Sequence, residues 1–193
     1  LDRNNDNVKK DNLDFDLKIN KAIWRFSTAN LDRHRKRIDL INNHNSNLID
    51  IKSVNKCKYT KNINENLKSE NFRLTINEMR KYKCLLECDG WDSIFWKLRS
   101  NSIVIKFNSD FNTITFIDQY LKENKHYING DKLINNFEKN LQNIFLESKK
   151  NKQDKYKKII KKSNSLSKIF NEKFLIKYST NLIDYYFNIV QSL

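Results

Sequence analysis

The amino-acid sequence predicts an α/β fold in which a parallel sheet is covered by helices on both faces. Short apolar runs rich in β-branched residues alternate with stretches whose apolar residues recur at helical spacing, and this alternation is typical of βαβ units. The chain has 193 residues, of which 38% are hydrophobic, so it can bury the core of one sizeable domain. We therefore predict a Rossmann-like domain followed by a helical C-terminal extension.

The first third of the chain contributes two strands and the helix between them. Residues 1–18 are polar and aperiodic, and we expect them to form a lead-in or linker before a domain that spans 19–193. Thr28 or Asn30 is a suitable N-cap for the helix. The predicted elements are a strand over 21–27, a helix over 28–45, a strand over 48–54 and a polar loop over 55–71.

The middle of the chain contributes three more strands. A short helix over 74–82 is predicted by Thr75 and Glu78, whose spacing is that of a capping box. The best strand candidate of the chain is 102–107, because isoleucine and valine, which favour strands, dominate it. The predicted elements that follow are a strand over 84–89, a helix over 92–101, a strand over 102–107, a helix over 110–124 and a strand over 125–129.

The C-terminal part, from Asp131 on, is expected to be helical. We predict breaks near Lys149–Lys152 and Ser163–Ser165, where polar residues interrupt the apolar pattern. The last segment, 174–193, is strongly apolar on one side, which predicts that it packs back onto the sheet.

The formal net charge of +14 has two interpretations. Basic proteins often bind polyanions such as nucleic acids. However, roughly one residue in six is Asn, Pro is absent and lysines are spread along the chain, so the charge also fits a general compositional bias. A nucleic-acid-binding protein is therefore a less favoured alternative.

Three cysteines do not suggest a disulfide framework. Cys84 and Cys88 lie in a predicted strand and are expected to be small buried side chains on one face. No second Cys or His pair has the spacing of a zinc site, so we expect no metal. The first twenty residues lack a signal-peptide pattern, and no run of about 18 apolar residues occurs, so we expect no transmembrane segment and favour the cytoplasm.

A candidate ligand site lies at the carboxyl ends of the predicted strands, where open parallel sheets bind ligands. The first strand ends at Arg25 and Ser27, and the helix behind it carries Arg33. Another strand ends at Asp89-Gly90, directly before a helix. Helix N-termini and arginines bind anions, so this edge predicts a phosphate or diphosphate site.

An alternative for the arginines is left open, since Arg33, Arg35 and Arg37 also fit the solvated face of a helix. Motifs for other chemistries are absent: the chain has two glycines and lacks both a dinucleotide-binding Gly-rich loop and a nucleophile elbow. The three histidines are scattered. The residues themselves therefore assign no catalytic group.

Several blocks of sequence occur in a recognisable order. KYKCLLECDG (81–90) is followed by FWKLRSNSIVIKFNSD (95–110) and by HYI (126–128), while WRFS (24–27) precedes Arg33 by six residues. Together they resemble the signature region of glycosyltransferase family 90, which includes capsule-associated, lipopolysaccharide-modifying and protein O-glucosyl- and O-xylosyltransferases. The resemblance covers residues 21–130 best.

The resemblance implies the donor-binding half of a two-domain GT-B enzyme, with a nucleotide sugar, expected to be a UDP-sugar, as donor and no metal or other cofactor. The acceptor would be a glycan, lipid-linked or protein hydroxyl. The catalytic base would lie in an N-terminal half, so it is not assigned here. A truncated, non-catalytic nucleotide-sugar-binding module is the alternative. The implied donor-binding residues are Arg25, Ser27, Arg33, Asp89, Gly90, Lys97, Ser102, His126 and Tyr127.

The first prediction concerns Arg33. If its guanidinium contacts the diphosphate of the donor, Arg33→Ala weakens UDP-sugar binding, because a charge-assisted contact to the phosphate oxygens is lost. Calorimetric or thermal-shift titration with a panel of UDP-sugars measures this, and unchanged affinity would contradict the assignment.

Overall fold

A five-stranded, wholly parallel sheet forms the centre of the computed structural model. The structure describes residues 11–27, 35–54, 63–88, 91–108, 117–147, 153–170 and 172–191. The strands are β1 (Ile19–Phe26), β2 (Ile49–Ser53), β3 (Tyr82–Cys88), β4 (Ile103–Phe107) and β5 (Ile128–Asn129). The predicted α/β class is confirmed.

Helices cover both faces of this sheet, and further helices follow it, as predicted. They are α1 (Arg35–Asn43), α2 (Ile76–Met79), α3 (Trp91–Leu98), α4 (Phe137–Glu147), α5 (Gln153–Ile169) and α6 (Glu172–Gln191).

The strand order is β2-β1-β3-β4-β5. The chain moves outward from β1 to β2, and then passes back across β1 to form β3. Connections between parallel strands are right-handed, so helices on either side of this reversal lie on opposite faces of the sheet. The carboxyl ends of β1 and β3 therefore form the switch point of the sheet, the position where doubly wound sheets have a crevice that binds ligands.

The core has one layer on each face of the sheet. On one face, Trp24 and Leu86 pack with Leu40 of α1 and Leu141 of α4. On the other face, α3 and the turns around Ile117 pack over the sheet. β3 is buried along nearly its whole length, as expected for a central strand with helices on both sides.

Residues 11–18 differ from the predicted loose lead-in. Phe15 is buried in the core within a short 3-10 helix, Phe15–Leu17. Asp11 forms a buried ion pair with Lys18 at 2.8 Å, and its carboxylate also accepts the Asn101 backbone N–H at 2.8 Å. The sequence lacks apolar periodicity here because polar contacts, more than a hydrophobic face, attach this segment.

The segments between the strands can be compared with three predictions: the capping box, the helix over 110–124 and the polar loop over 55–71. The capping box is confirmed: the Glu78 N–H donates to Thr75 Oγ1 at 3.2 Å, and the Thr75 N–H donates to Glu78 Oε2 at 2.7 Å. The described part of the helix predicted over 110–124 forms turns, and its remainder lies outside the described residues. The predicted polar loop contains two 3-10 turns within its described part.

The break predicted at Ser163–Ser165 is wrong, because α5 runs through these residues. The Ser163 hydroxyl donates to the Leu98 carbonyl at 3.3 Å, and the Ser165 hydroxyl donates to the Lys161 carbonyl of its own helix at 2.9 Å. Serine is tolerated inside a helix when its hydroxyl is satisfied in this way. The break predicted at Lys149–Lys152 lies outside the described residues.

Whether the last helix packs onto the sheet stays a prediction, because many side chains of α6 lie outside the described residues. Among its described side chains, Phe174 at the start of the helix makes an edge-to-face contact with Phe170. Further along, Ile176, Leu182 and Ile183 are more than half exposed, at 59%, 56% and 53%. Among the described helices, none is both long enough and apolar enough to cross a membrane.

Gly130 tests the packing at the carboxyl edge of the sheet. A Cβ atom at Gly130 would lie 2.5 Å from the Phe107 ring, which is fully buried. We expect Gly130→Ala to lower the free energy of unfolding by about 1–3 kcal/mol, because an overpacked core must shift. Urea denaturation measures the change, with Asn135→Ala at an exposed position as the control.

The double variant Gly130→Ala/Phe107→Leu separates overpacking from other causes. A smaller side chain at position 107 leaves room for the new methyl group, so the two costs should be less than additive. Additive costs, or a neutral Gly130→Ala, would contradict this account.

Candidate functional site

In the described part of the chain, the side chain of Arg37 spans the crevice between β1 and β3. This residue lies in the first turn of α1. Its guanidinium donates to the Cys88 carbonyl from Nη2 at 2.8 Å and from Nε at 3.2 Å. It also donates from Nη1 to the Ser27 carbonyl at 3.2 Å. These carbonyls mark the ends of β3 and β1, so Arg37 forms the floor of the crevice.

Aromatic rings hold the Arg37 guanidinium in place. Its Cζ atom lies 5.7 Å from the centroid of Trp24 and 5.9 Å from that of Phe26, both on β1. Arg37 is 8% exposed. Within the described part of the chain its acceptors are carbonyl oxygens and no carboxylate pairs with it, so this buried cation is not neutralised there.

A second buried group lies on the opposite face of the sheet. The Lys97 ammonium donates to Glu87 Oε2 at 2.7 Å and to the Leu86 carbonyl at 2.7 Å. Ser93 donates a short hydrogen bond to the same carboxylate oxygen. Both charged side chains are almost fully buried. The pair fixes α3 to the carboxyl half of β3.

Burial lowers the pKa of Lys97, and the Glu87 carboxylate opposes this shift. Arg37 lowers the pKa of Lys97 further, which places the two cations within electrostatic range of each other. The Glu87 carboxylate neutralises the charge of Lys97, and the charge of Arg37 remains. The described part of the crevice therefore carries a net positive charge.

The first turn of α1 adds to this potential. Arg35, Lys36 and Arg37 occupy it, and it holds no acidic residue. Cations here oppose the helix macrodipole, which favours negative charge at an N-terminus. Lys36 forms an ion pair with Asp131 at 3.1 Å. The arrangement is costly for the free protein, but an anionic ligand would relieve the cost.

The structure places some of the predicted site residues at this crevice. Ser27 is exposed directly after β1. Lys97 lies on the opposite face of the sheet, where its ammonium forms a buried ion pair with Glu87. Arg33, Asp89 and Gly90 lie outside the described residues, so their predicted roles stay predictions.

Arg25 has a structural position. Its guanidinium donates to the Phe72 and Asp50 carbonyls at 3.0 Å each and pairs with the Asp50 carboxylate at 2.7 Å. These contacts connect β1 to β2 and to the segment before α2. Arg25 therefore holds the sheet together beside the site, and the structure does not direct it into the crevice.

Ser102 and His126 lie away from the carboxyl edge. Ser102 immediately precedes β4, and its hydroxyl donates to the Tyr82 carbonyl at 2.8 Å. His126 precedes β5 and accepts the Lys122 N–H through Nδ1 at 3.0 Å. Both are buried in local hydrogen bonding. Because parallel strands begin at the opposite edge from where they end, these two residues are separated from Ser27.

Tyr127 follows His126 and is half-buried. The Lys106 ammonium lies 5.9 Å from the centroid of its ring, and Lys106 pairs with Asp118 at 3.1 Å. Burial raises the pKa of Tyr127, an effect that Lys106 opposes. This group braces β4 and β5, and the structure does not bring it to the crevice floor.

Sequence reasoning missed Arg37 and Glu87. Arg37 precedes Leu40 by three residues and Ile41 by four, so it shares the buried face of α1 with them. That spacing was a usable signal against a solvated role. Glu87 stands alone as an acid in an otherwise apolar strand, and a buried acid requires a partner.

The two cysteines of β3 are buried, and both contribute to the core on the α1 face of the sheet, as predicted. Burial raises the pKa of the Cys84 thiol. Among the described residues, no group of three or more His, Cys, Asp or Glu side chains is arranged to hold a metal ion.

The fold and the crevice define a doubly wound α/β protein of Rossmann-like type, with a cationic floor at its switch point. No known protein-family model matches the chain. No curated protein sequence shows a significant match either.

The buried pair supplies a stability prediction. Glu87→Gln should lower the free energy of unfolding by about 3–5 kcal/mol at neutral pH, because it leaves the buried Lys97 cation without its counter-charge. The double replacement Glu87→Leu/Lys97→Met should recover most of that loss, since neither charge then remains buried. Urea denaturation of the three proteins measures both effects. A double variant no more stable than Glu87→Gln would contradict the account.

Proposed function

We propose that the crevice between β1 and β3 binds the diphosphate of a nucleotide sugar, and that the chain is the donor-binding part of a glycosyltransferase. The observation that carries this proposal is the buried, uncompensated Arg37 guanidinium at the switch point of the sheet. The sequence resemblance to glycosyltransferase family 90 supports the same class of ligand.

A diphosphate suits this floor for electrostatic reasons. A cation with little water around it attracts an anion more strongly than an exposed lysine does, because the local dielectric constant is low. The aromatic rings of Trp24 and Phe26 keep the guanidinium in one orientation. A pre-oriented donor loses little entropy when the ligand binds. Ser27 is exposed at the rim, so its hydroxyl and backbone groups can contact the same ligand.

In a transfer reaction, the bond between the sugar and the diphosphate breaks, and the leaving diphosphate gains negative charge. Cationic groups fixed at that position stabilise the charge as it develops. In this proposal Arg37 and the α1 N-terminus perform that role, and no metal is needed. UDP-sugars are the proposed donors, and the acceptor is a hydroxyl of a glycan, a lipid-linked sugar or a protein.

Calorimetric titration of UDP and UDP-sugars into the purified chain tests the proposal. Arg37→Gln should weaken binding at least about tenfold, because hydrogen bonds to charged groups contribute roughly 1.5–3 kcal/mol. Arg37→Lys should bind with intermediate affinity, since it keeps the charge but loses the planar fork.

Arg35→Gln is the matched control, because Arg35 belongs to the same helical turn but is exposed. It should change the affinity by no more than about threefold, as an exposed cation contributes little. Circular dichroism establishes that each variant is folded before titration. Failure of the unmodified chain to bind any UDP-sugar, or equal affinity of Arg37→Gln, would refute the proposal.

Activity is measured separately from binding. Release of UDP from a UDP-sugar in the presence of candidate acceptors indicates transfer or hydrolysis. Binding without any release would favour the non-catalytic nucleotide-sugar-binding module.

A further inference from the structure

Helix α5 has two faces of opposite character. Its buried side contributes Tyr156, Ile159 and Ile160 to the core, and the Ser163 and Ser167 side chains continue that face. On the other side five lysines are exposed, at helical spacing along one half of its circumference: Lys155, Lys158, Lys161, Lys162 and Lys168.

This lysine face is not balanced by acids. From Lys155 to Ile169 the sequence contains no Asp or Glu. Among the side chains that the structure describes, only Lys157 of this helix forms an ion pair, with Asp16 at 2.5 Å at the margin of the face. The five exposed lysines thus form a continuous cationic surface about four turns long.

Composition alone does not explain this surface. Among the described side chains, the exposed sides of two other helices mix both signs: Arg35 and Asp39 are exposed on α1, and Glu138 and Lys139 on α4. A uniform excess of lysine would place lysines among acids on α5 as well. Its described exposed face instead carries lysines without acids.

A neighbouring loop extends the lysine face. Burial lowers the pKa of His126, and the charges of Lys125, Lys122 and Lys162 lower it further. Lys162 on α5 therefore lies close to the loop that carries Lys122 and Lys125, both exposed. The cationic surface spans α5 and this loop.

Exposed aliphatic residues follow the lysine face along the chain. Ile169, at the end of α5, is 53% exposed and lies on the lysine side of the helix. In α6, Ile176 and Ile183 are two helical turns apart and are 59% and 53% exposed, with Leu182 beside them at 56%. Exposed lysines combined with exposed apolar residues are the pattern of peripheral membrane-binding helices.

We propose that the α5–α6 surface binds the face of an anionic lipid bilayer. The lysines contact lipid phosphates, while Ile169, Ile176, Leu182 and Ile183 enter the boundary between headgroups and acyl chains. Among the described side chains, the large apolar residues exposed on α5 and α6 are four aliphatic residues and one aromatic residue, Phe187. This composition favours a bilayer over single-stranded nucleic acid, since nucleic-acid grooves interleave their cations with aromatic side chains on which bases stack. This inference is independent of the nucleotide-sugar proposal.

Sedimentation with vesicles tests the surface. The chain should bind vesicles of phosphatidylcholine mixed with phosphatidylglycerol, bind phosphatidylcholine alone much more weakly, and lose affinity as salt screens the lysines. Lys158→Glu/Lys162→Glu should weaken binding to the anionic vesicles by at least about 25-fold, at about fivefold per lysine.

Lys81→Glu/Lys139→Glu is the matched control, because it changes the net charge equally at two exposed lysines away from this surface. It should weaken vesicle binding by less than about threefold, since neither lysine belongs to the proposed contact surface.

The apolar contribution is tested by Ile176→Ser/Ile183→Ser, which should weaken vesicle binding at least about tenfold. Leu146→Ser, at an exposed position on α4, should leave it unchanged. Equal binding to neutral and anionic vesicles would overturn the proposal. So would a preference for single-stranded RNA that the isoleucine variant does not alter, which would identify a nucleic-acid surface.

Discussion

The carboxyl ends of β1 and β3 are joined by one buried guanidinium, and the geometry of the crevice depends on it. The strands are neighbours, but the helices that follow them lie on opposite faces of the sheet. At such a point the last carbonyls of the strands have no further ladder partner, and buried carbonyls without a donor are costly. Arg37 supplies donors to Ser27 and Cys88 together, so it closes both strand ends with one side chain.

This solution places a positive charge where it is not compensated by a carboxylate in the described structure. The contrast with the opposite face is instructive, because there the buried cation of Lys97 is matched by Glu87 and Ser93. If strand closure were the only requirement, a neutral donor such as an asparagine or a serine would serve at position 37. A cation held over the rings of Trp24 and Phe26 instead attracts an anion to the switch point.

Much of the sheet could be predicted from the sequence, because apolar β-branched runs report burial on both faces directly. Ile103, Ile105 and their neighbours have few alternatives to a central strand. The residues of the candidate site were harder to predict from the sequence. Because arginines are usually exposed, Arg37 was placed with Arg35 on the solvated face of the helix. Its spacing of three residues from Leu40 instead indicates the buried face.

Polar residues are hard to interpret from the sequence alone, because the same residue type marks a loop, a ligand site or a local hydrogen bond. Ser102 and His126 satisfy local backbone groups at the opposite edge of the sheet from Ser27. Ser163 and Ser165 satisfy carbonyls inside a continuous helix. Which backbone group a hydroxyl or an imidazole will meet depends on tertiary contacts, and a single sequence does not contain that information in any local pattern.

The positive charge of the chain has two physically different locations, and composition cannot distinguish them. Arg37 is a buried charge, so dissolved ions screen its attraction to a ligand only weakly, and its effect acts over a few ångströms. The lysines of α5 are exposed on long side chains, and their combined field reaches about a Debye length into solution, where salt reduces it steeply. The net charge of +14 alone suggests one polyanion partner. In the described structure the buried cation of Arg37 and the exposed lysines of α5 are separate features. We propose that the first binds a small anion and the second a planar array of phosphates, so that each acts on a different ligand.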